Sequence, residues 1–192
     1  MKEKRRCPWV PLDIPLYVKY HDTEWGVPTY NDITLFEFLL LESAQAGLSW
    51  LTILKKRENY RKAFRNFNPR IVAKFTSQDV ERLIQDPGII RNRAKILAAI
   101  NNAQRFLEVQ KEFGSFSTYM WRFVDNEPIH HTIKNIQDYP TKIREAELWA
   151  IDLKKRGFTF FGPTICYAHM QAVGMVCDHS VDCFKYKSKN KK

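Results

Sequence analysis

Apolar and polar positions along the chain recur at helical spacing, and strict alternation is scarce. Asn31-Asp32 can cap a helix whose apolar run is Leu35, Phe36, Phe38, Leu39, Leu40 and Leu41. That run is apolar almost all round, which predicts a central helix ending near Ala46-Gly47. Ser49 can cap the next helix, with Trp50, Ile53 and Leu54 on one face. Asn68-Pro69 reads as a cap followed by proline at the first helical position. Ser77 is expected to cap a short helix carrying Val80, Leu83 and Ile84. A tight Asp86-Pro87-Gly88 turn leads into a long amphipathic pattern from about Asn92 to Glu112, closed by Gly114. Asn126-Glu127-Pro128 and Tyr139-Pro140 punctuate a loop. Thr141 begins a helix through Lys154-Lys155-Arg156, with cations in its last turn and Gly157 after it. Thr164 begins a final helix ending near Gly174. Phe158-Thr159-Phe160-Phe161 is the only run that reads as extended. The fold class is all-α, a single domain over 1–192, undivided or in two helical lobes, with no internal repeat.

Hydrophobic content of 44% and aromatic content of 14% supply a core and exclude disorder for the body of the 192-residue chain. No apolar run reaches the roughly 18 residues of a membrane span. The charged start Met1-Lys2-Glu3-Lys4-Arg5-Arg6 is not followed by an apolar segment, so no secretory signal is expected. Lys and Arg number 31 against 21 Asp and Glu, a net charge of +10. Such an excess favours a polyanion, nucleic acid first. Much of it falls in basic tails, about 1–6 and 185–192, so the folded body is only mildly basic. With an ample core and no export signal, Cys7, Cys166, Cys177 and Cys183 are expected as thiols or metal ligands in a reducing, cytoplasmic setting.

Candidate chemistry lies in three places. Pro87-Gly88-Ile89-Ile90, with Arg91 and Arg93 after it, has the look of a helix-hairpin-helix. There glycine permits close approach and the next helix start attracts a phosphate. An ordinary Pro-Gly turn is the alternative. At the termini, His179 and Cys183 at i, i+4 would share a helix face, and with Cys7 and His21 they make a Cys2His2 set suited to structural zinc. Against this stands a buried cysteine with unrelated histidines. Cys166 reads as core, and His130, His131 and His169 suggest no further ligand set. Finally, Glu42 ends the apolar helix in a quarter rich in Trp9, Tyr17, Tyr20, Trp25 and Trp50. Either Glu42 points to solvent above core rings, or the rings wall a pocket for a flat, positively charged ligand gripped by one carboxylate.

The sequence resembles the DNA-3-methyladenine glycosylase I family of the helix-hairpin-helix glycosylase superfamily. The resemblance runs from Cys7 to about Cys183. It rests on Tyr20-His21-Asp22-Thr23-Glu24-Trp25-Gly26-Val27-Pro28, Gln45-Ala46-Gly47-Leu48-Ser49-Trp50 and Leu54-Lys55-Lys56-Arg57-Glu58-Asn59-Tyr60. Gly88-Ile89-Ile90-Arg91, Lys155-Arg156-Gly157-Phe158, Thr164-Ile165-Cys166-Tyr167 and Asp178-His179 with Cys183 complete it. It implies a helix-hairpin-helix glycosylase fold with one structural zinc on Cys7, His21, His179 and Cys183, joining the N- and C-terminal segments. It implies a base pocket of Trp9, Tyr17, Tyr20, Glu42 and Trp50, with Glu42 also the catalytic residue. Gly47 and Leu48 match the loop pushed into the duplex, and Gly88, Ile89, Ile90 and Arg91 the hairpin that contacts DNA. Ser43-Ala44-Gln45-Ala46 departs from the family pattern in being poorer in glutamine.

The implied reaction is hydrolysis of the N-glycosidic bond of 3-methyladenine in alkylated double-stranded DNA by a monomer, after base flipping. Methylation at N3 makes the purine cationic and a good leaving group. Consistently, no Asp lies between Asp86 and Asp125, and no lysine is marked as a Schiff-base nucleophile, so a monofunctional enzyme without lyase activity is expected. Competing readings are a zinc-stabilised DNA-binding module without catalysis, and a glycosylase for another damaged base.

Overall fold

The computed structural model describes residues 4–186. The outer parts of both basic tails, 1–3 and 187–192, lie outside the described residues. Of the inner parts, Arg6 is not frayed: its guanidinium donates to Asp22 at 2.9 and 2.8 Å.

The helices are α1 (Pro15–Thr23), α2 (Asp32–Gln45), α3 (Trp50–Ala63), α4 (Pro69–Val72), α5 (Ser77–Gln85), α6 (Arg93–Phe113), α7 (Phe116–Trp121), α8 (Arg144–Lys155) and α9 (Pro163–Ala172). Two short strands, β1 (Ile129–His130) and β2 (Val176–Cys177), pair in parallel, Ile129 with Val176 and His130 with Cys177. The fold is mostly helical, as the spacing predicts.

Helix α2 is the axis of the molecule and packs against α3, α6, α7 and α9. Every residue from Leu35 to Ala44 is buried, which matches its all-round apolar pattern. Asn31 caps it by accepting from the Thr34 N–H, and Ser49 caps α3 by accepting from the Thr52 N–H. Asn68 and Asn92 cap α4 and α6 in the same way. Asp32 reaches out of α2 to accept from the backbone N–H groups of Phe116 and Ser117 at 2.8 and 2.9 Å, which fixes the start of α7.

Several expectations shift. The cap of α5 is Thr76 rather than Ser77, with its N–H donated to Asp79 at 3.0 Å. Helix α8 starts at Arg144 instead of Thr141, and its first turn carries Glu145 and Glu147, which suit the positive end of the helix dipole. Residues 158–161 form no strand: Phe158 and Phe161 turn into the core, and Phe160 has φ +54°. The extended pairs lie at 129–130 and 176–177. Residues 179–183 form no helix either. A turn closed by the Cys183 N–H on the Ser180 carbonyl (2.8 Å) brings His179 and Cys183 together. Gly174 (φ +74°) lies against the Val27–Pro28 peptide, where an added Cβ would meet backbone atoms at 2.3 Å. That close approach seats α9 and the segment after it on the N-terminal quarter.

Candidate active site

Helix α1 presents Tyr17, Tyr20 and His21 at i, i+3, i+4 on its inner face. Helix α2 brings Glu42 up to the same place, and Trp50 opens α3 beside it. Together with Trp9 these residues line one cavity of about 300 Å³. That is at the small end of the range for small-molecule sites, roughly 300–1,000 Å³. The five residues expected as a base pocket are therefore brought together. Trp25, Gln45, Tyr139, Pro140, Ala168 and Gln171 complete the lining. Trp25 was visible as one ring among several. Tyr139-Pro140 reads only as a loop, and Gln171 lies on a helix with no pattern to single it out.

The rings form two groups. Trp9 lies 5.8 Å from Tyr17 and 4.7 Å from Trp25 between centroids. Tyr20 lies 5.3 Å from Trp50. Such tilted contacts hold each ring by its edge and leave faces for a flat ligand.

Glu42 does not point to solvent. It is 4% exposed and borders the cavity. Its nearest counterpart on α2, Glu37, is equally buried but paired, accepting from Arg57 Nε at 2.8 Å and from Arg61 at 2.7 Å. Among the described residues Glu42 has no hydrogen-bond or ion-pair partner. Burial alone pushes its carboxyl up to about 8, so at neutral pH most of it holds a proton. Burial and the Glu42 charge likewise raise the hydroxyls of Tyr17 and Tyr20 above the ordinary tyrosine range.

Next to this cavity sits the buried set Cys7, His21, His179 and Cys183, whose ligand atoms all lie within 4.8 Å of one another. Cys7 Sγ is 3.4 Å from His179 Nδ1, and Cys183 Sγ is 3.5 Å from His21 Nε2 and 3.6 Å from His179 Nδ1. Tetrahedral zinc with bonds of about 2.0–2.3 Å needs ligand separations of about 3.3–3.8 Å. The remaining ring nitrogens are occupied: His21 Nδ1 donates to Asp22 at 2.8 Å, and His179 Nε2 faces the Trp25 carbonyl at 3.2 Å. Outer partners of that kind orient imidazole ligands. The Ser180 and Lys185 N–H groups donate to the Cys7 and Cys183 sulfurs, which suits thiolates. The donor set fits a tetrahedral metal ion. Cys166 lies in the core, and Cys177 is in β2.

The turn at 86–92 joins α5 to α6. Gly88 is needed for packing: a Cβ there would meet Asn59 Cβ at 2.9 Å. Ile89 is buried and anchors the turn. The Gly88 N–H is donated to Asp86 Oδ1 (2.7 Å) and the Ile90 N–H to Tyr60 Oη (3.1 Å), so both serve the turn's own shape. Arg91 is exposed, while Arg93 pairs with Glu81 at 2.6 Å. Gly47 (φ +79°) and Leu48, 41% exposed, protrude after α2. Lys95 on α6 donates to the Ala44 and Ala46 carbonyls at 2.9 and 2.6 Å, which ties this protrusion to the first turn of α6.

Comparison with known proteins agrees. A family model described as methyladenine glycosylase matches residues 9–186. The DNA-3-methyladenine glycosylase 1 of Escherichia coli K12 is 49% identical over 181 residues, covering 94% of this chain and 96% of that one. The DNA-3-methyladenine glycosylase of Haemophilus influenzae Rd is 46% identical over 178 residues, with 93% and 96% covered. A solved variant of 3-methyladenine DNA glycosylase I, in complex with 3-methyladenine, superposes with a TM-score of 0.91 at 39% identity, covering 95% of this chain and 98% of that one. The chain belongs to the methyladenine glycosylase family and is an enzyme of the DNA-3-methyladenine glycosylase class, a hydrolase of N-glycosyl bonds.

Proposed function

We propose that the protein removes 3-methyladenine from double-stranded DNA by drawing the damaged nucleotide out of the helix into the Glu42 cavity and hydrolysing its glycosidic bond, with no lyase step. The observation that carries this reading is a buried carboxyl without a partner among the described residues, in a cavity walled by Trp9, Tyr17, Tyr20 and Trp50.

A carboxyl raised to about 8 is in want of a cation. A purine methylated at N3 supplies one. Its arrival restores the carboxylate, and its plane suits the ring faces. A neutral adenine gives no such compensation and would leave Glu42 protonated. As the C–N bond breaks, positive charge moves from the purine to the sugar without leaving the site. The attraction of Glu42 therefore persists through bond rupture, and it lowers the barrier measured from free enzyme and free DNA. The purine departs as a neutral base, and water adds to C1′ of the sugar and releases a proton to solvent.

Extruding the nucleotide costs a few kcal/mol, least for a damaged base. Gly47 and Leu48 suit the role of the wedge that fills the vacated stack. Arg91 suits a phosphate contact that positions without reading sequence. Gly88, Ile89 and Ile90 serve by shaping the hairpin. Cys7, His21, His179 and Cys183 would hold one zinc ion, whose contribution is structural: it fixes Trp9 and Tyr20, which follow and precede ligands closely in sequence. A monomer suffices, because one chain builds the whole cavity.

The test is incubation of methylated duplex DNA with the protein, then chromatography of released bases and gel analysis of the strands. Release of 3-methyladenine with unbroken abasic strands is expected. No free base, or strand cleavage at each abasic site, would overturn the reading.

A further inference from the structure

We infer that Gln171 is a second base-reading group, held by Asp178 as an acceptor, and that it favours N3-methylated purines with an amine at C6 over those with a carbonyl there. This rests on the glycosylase reading of the cavity and extends it to specificity.

Gln171 lies on α9 and borders the cavity that Glu42 enters. Beneath it, Asp178 is fully buried. Donors converge on that carboxylate: the Tyr167 hydroxyl, Gln171 Nε2 at 2.6 Å and His131 Nδ1 at 2.7 Å. The carboxylate accepts from all three, so the glutamine turns its NH2 group toward it. The orientation of an amide follows from its network, and this network permits one choice. The polar atom left to Gln171 is Oε1, which has no partner among the described residues.

The cavity thus offers two acceptors, the Glu42 carboxylate and Gln171 Oε1. An exocyclic amine carries two N–H groups and can satisfy both. A guanine-type O6 would face the same acceptors with a lone pair and be repelled. A site built around unpaired polar groups rejects a base that leaves them so. Asp178 does not touch the base. It is a positioning residue acting through Gln171.

The experiment uses duplex DNA methylated to contain both 3-methyladenine and 3-methylguanine, with single-turnover release of each base followed for the wild type and Gln171→Met. Methionine keeps the length of the side chain and removes the amide. The ratio of 3-methyladenine to 3-methylguanine release should fall about tenfold, as loss of one hydrogen bond of roughly 1.4 kcal/mol implies. Gln171→Ala serves the same comparison if methionine is not accommodated. Asp178→Asn can donate to Oε1 and turn the glutamine NH2 into the cavity, so it should move the ratio the same way; its melting midpoint is read alongside. An unchanged ratio in a folded Gln171 variant, or an equal fall in both rates, would overturn the inference. Wild-type protein that frees neither base would instead overturn the glycosylase reading beneath it.

Discussion

Glu42→Gln separates the cost of a buried carboxyl from its use. An ionised Glu42 about 4 Å from a purine cation gains about 4 kcal/mol at an effective dielectric of about 20. Before it can do so it must lose its proton, and with a pKa of about 8 that costs about 1.4 kcal/mol at pH 7. The difference, about 2.6 kcal/mol, corresponds to an excision efficiency, read with the enzyme below saturation, about 80-fold lower in the glutamine variant. Stability should move the other way. The Glu42 pKa is raised in the folded state from its ordinary 4.5 to about 8. Stability associated with the buried acid is therefore complete below pH 4.5 and is lost as pH climbs through 8. Glutamine does not ionise, so the variant should be the more stable protein. Its advantage should widen by about 3–4 kcal/mol between pH 5 and pH 8. Urea unfolding at both pH values and single-turnover release of 3-methyladenine measure the two effects. A variant excising at the wild-type rate would refute the role of the charge. A variant whose stability advantage does not grow with pH would refute the unpaired, buried state.

Cys183→Ala should lose its zinc, from one ion per chain to none, with a lower melting midpoint; metal analysis finding full zinc would exclude this ligand set. Arg91→Ala should weaken binding to every duplex alike and reduce the salt slope by about 0.9, whereas an effect confined to one sequence would contradict a phosphate contact. His169 is fully buried and neither ring nitrogen has a partner among the described residues, so burial lowers it to about 3 from an ordinary 6.5. The stability it contributes is complete above pH 6.5 and is lost as pH falls toward 3, about 2 kcal/mol by pH 5. Substituting His169→Met should abolish that acid-side loss relative to wild type, and urea titrations at pH 5 and 7 with parallel responses would show the reasoning to be wrong.

The fold was legible where one helix carries its own evidence. Helix α2 declares itself by a continuous apolar run behind an Asn-Asp cap, and Glu42 stands out because a carboxyl there is expensive. Caps at Asn31, Ser49 and Asn68 were readable because each side chain accepts from a backbone N–H three or fewer residues on. Strands β1 and β2 were not, since two-residue strands have no periodicity and exist only as a pair. The Cys2His2 set was legible as residue types, but the i, i+4 argument rested on a helix that is a turn. Gly88 was singled out for close approach to a phosphate, whereas its missing Cβ makes room for Asn59, a tertiary contact no spacing reveals. Gln171 escaped for the same cause, because only Asp178, across a chain reversal, gives its amide a direction.

The thiol and imidazole cluster joins positions as far apart as Cys7 and His179, 172 residues distant. Trp9 and Gln171 follow the same division, one wall from each extremity. A chain emerging from the ribosome has nowhere to put a purine until Gln171 and the turn that carries His179 and Cys183 are synthesised. The cavity therefore comes into being late, when the stretch around 171–183 folds back onto residues 7–25.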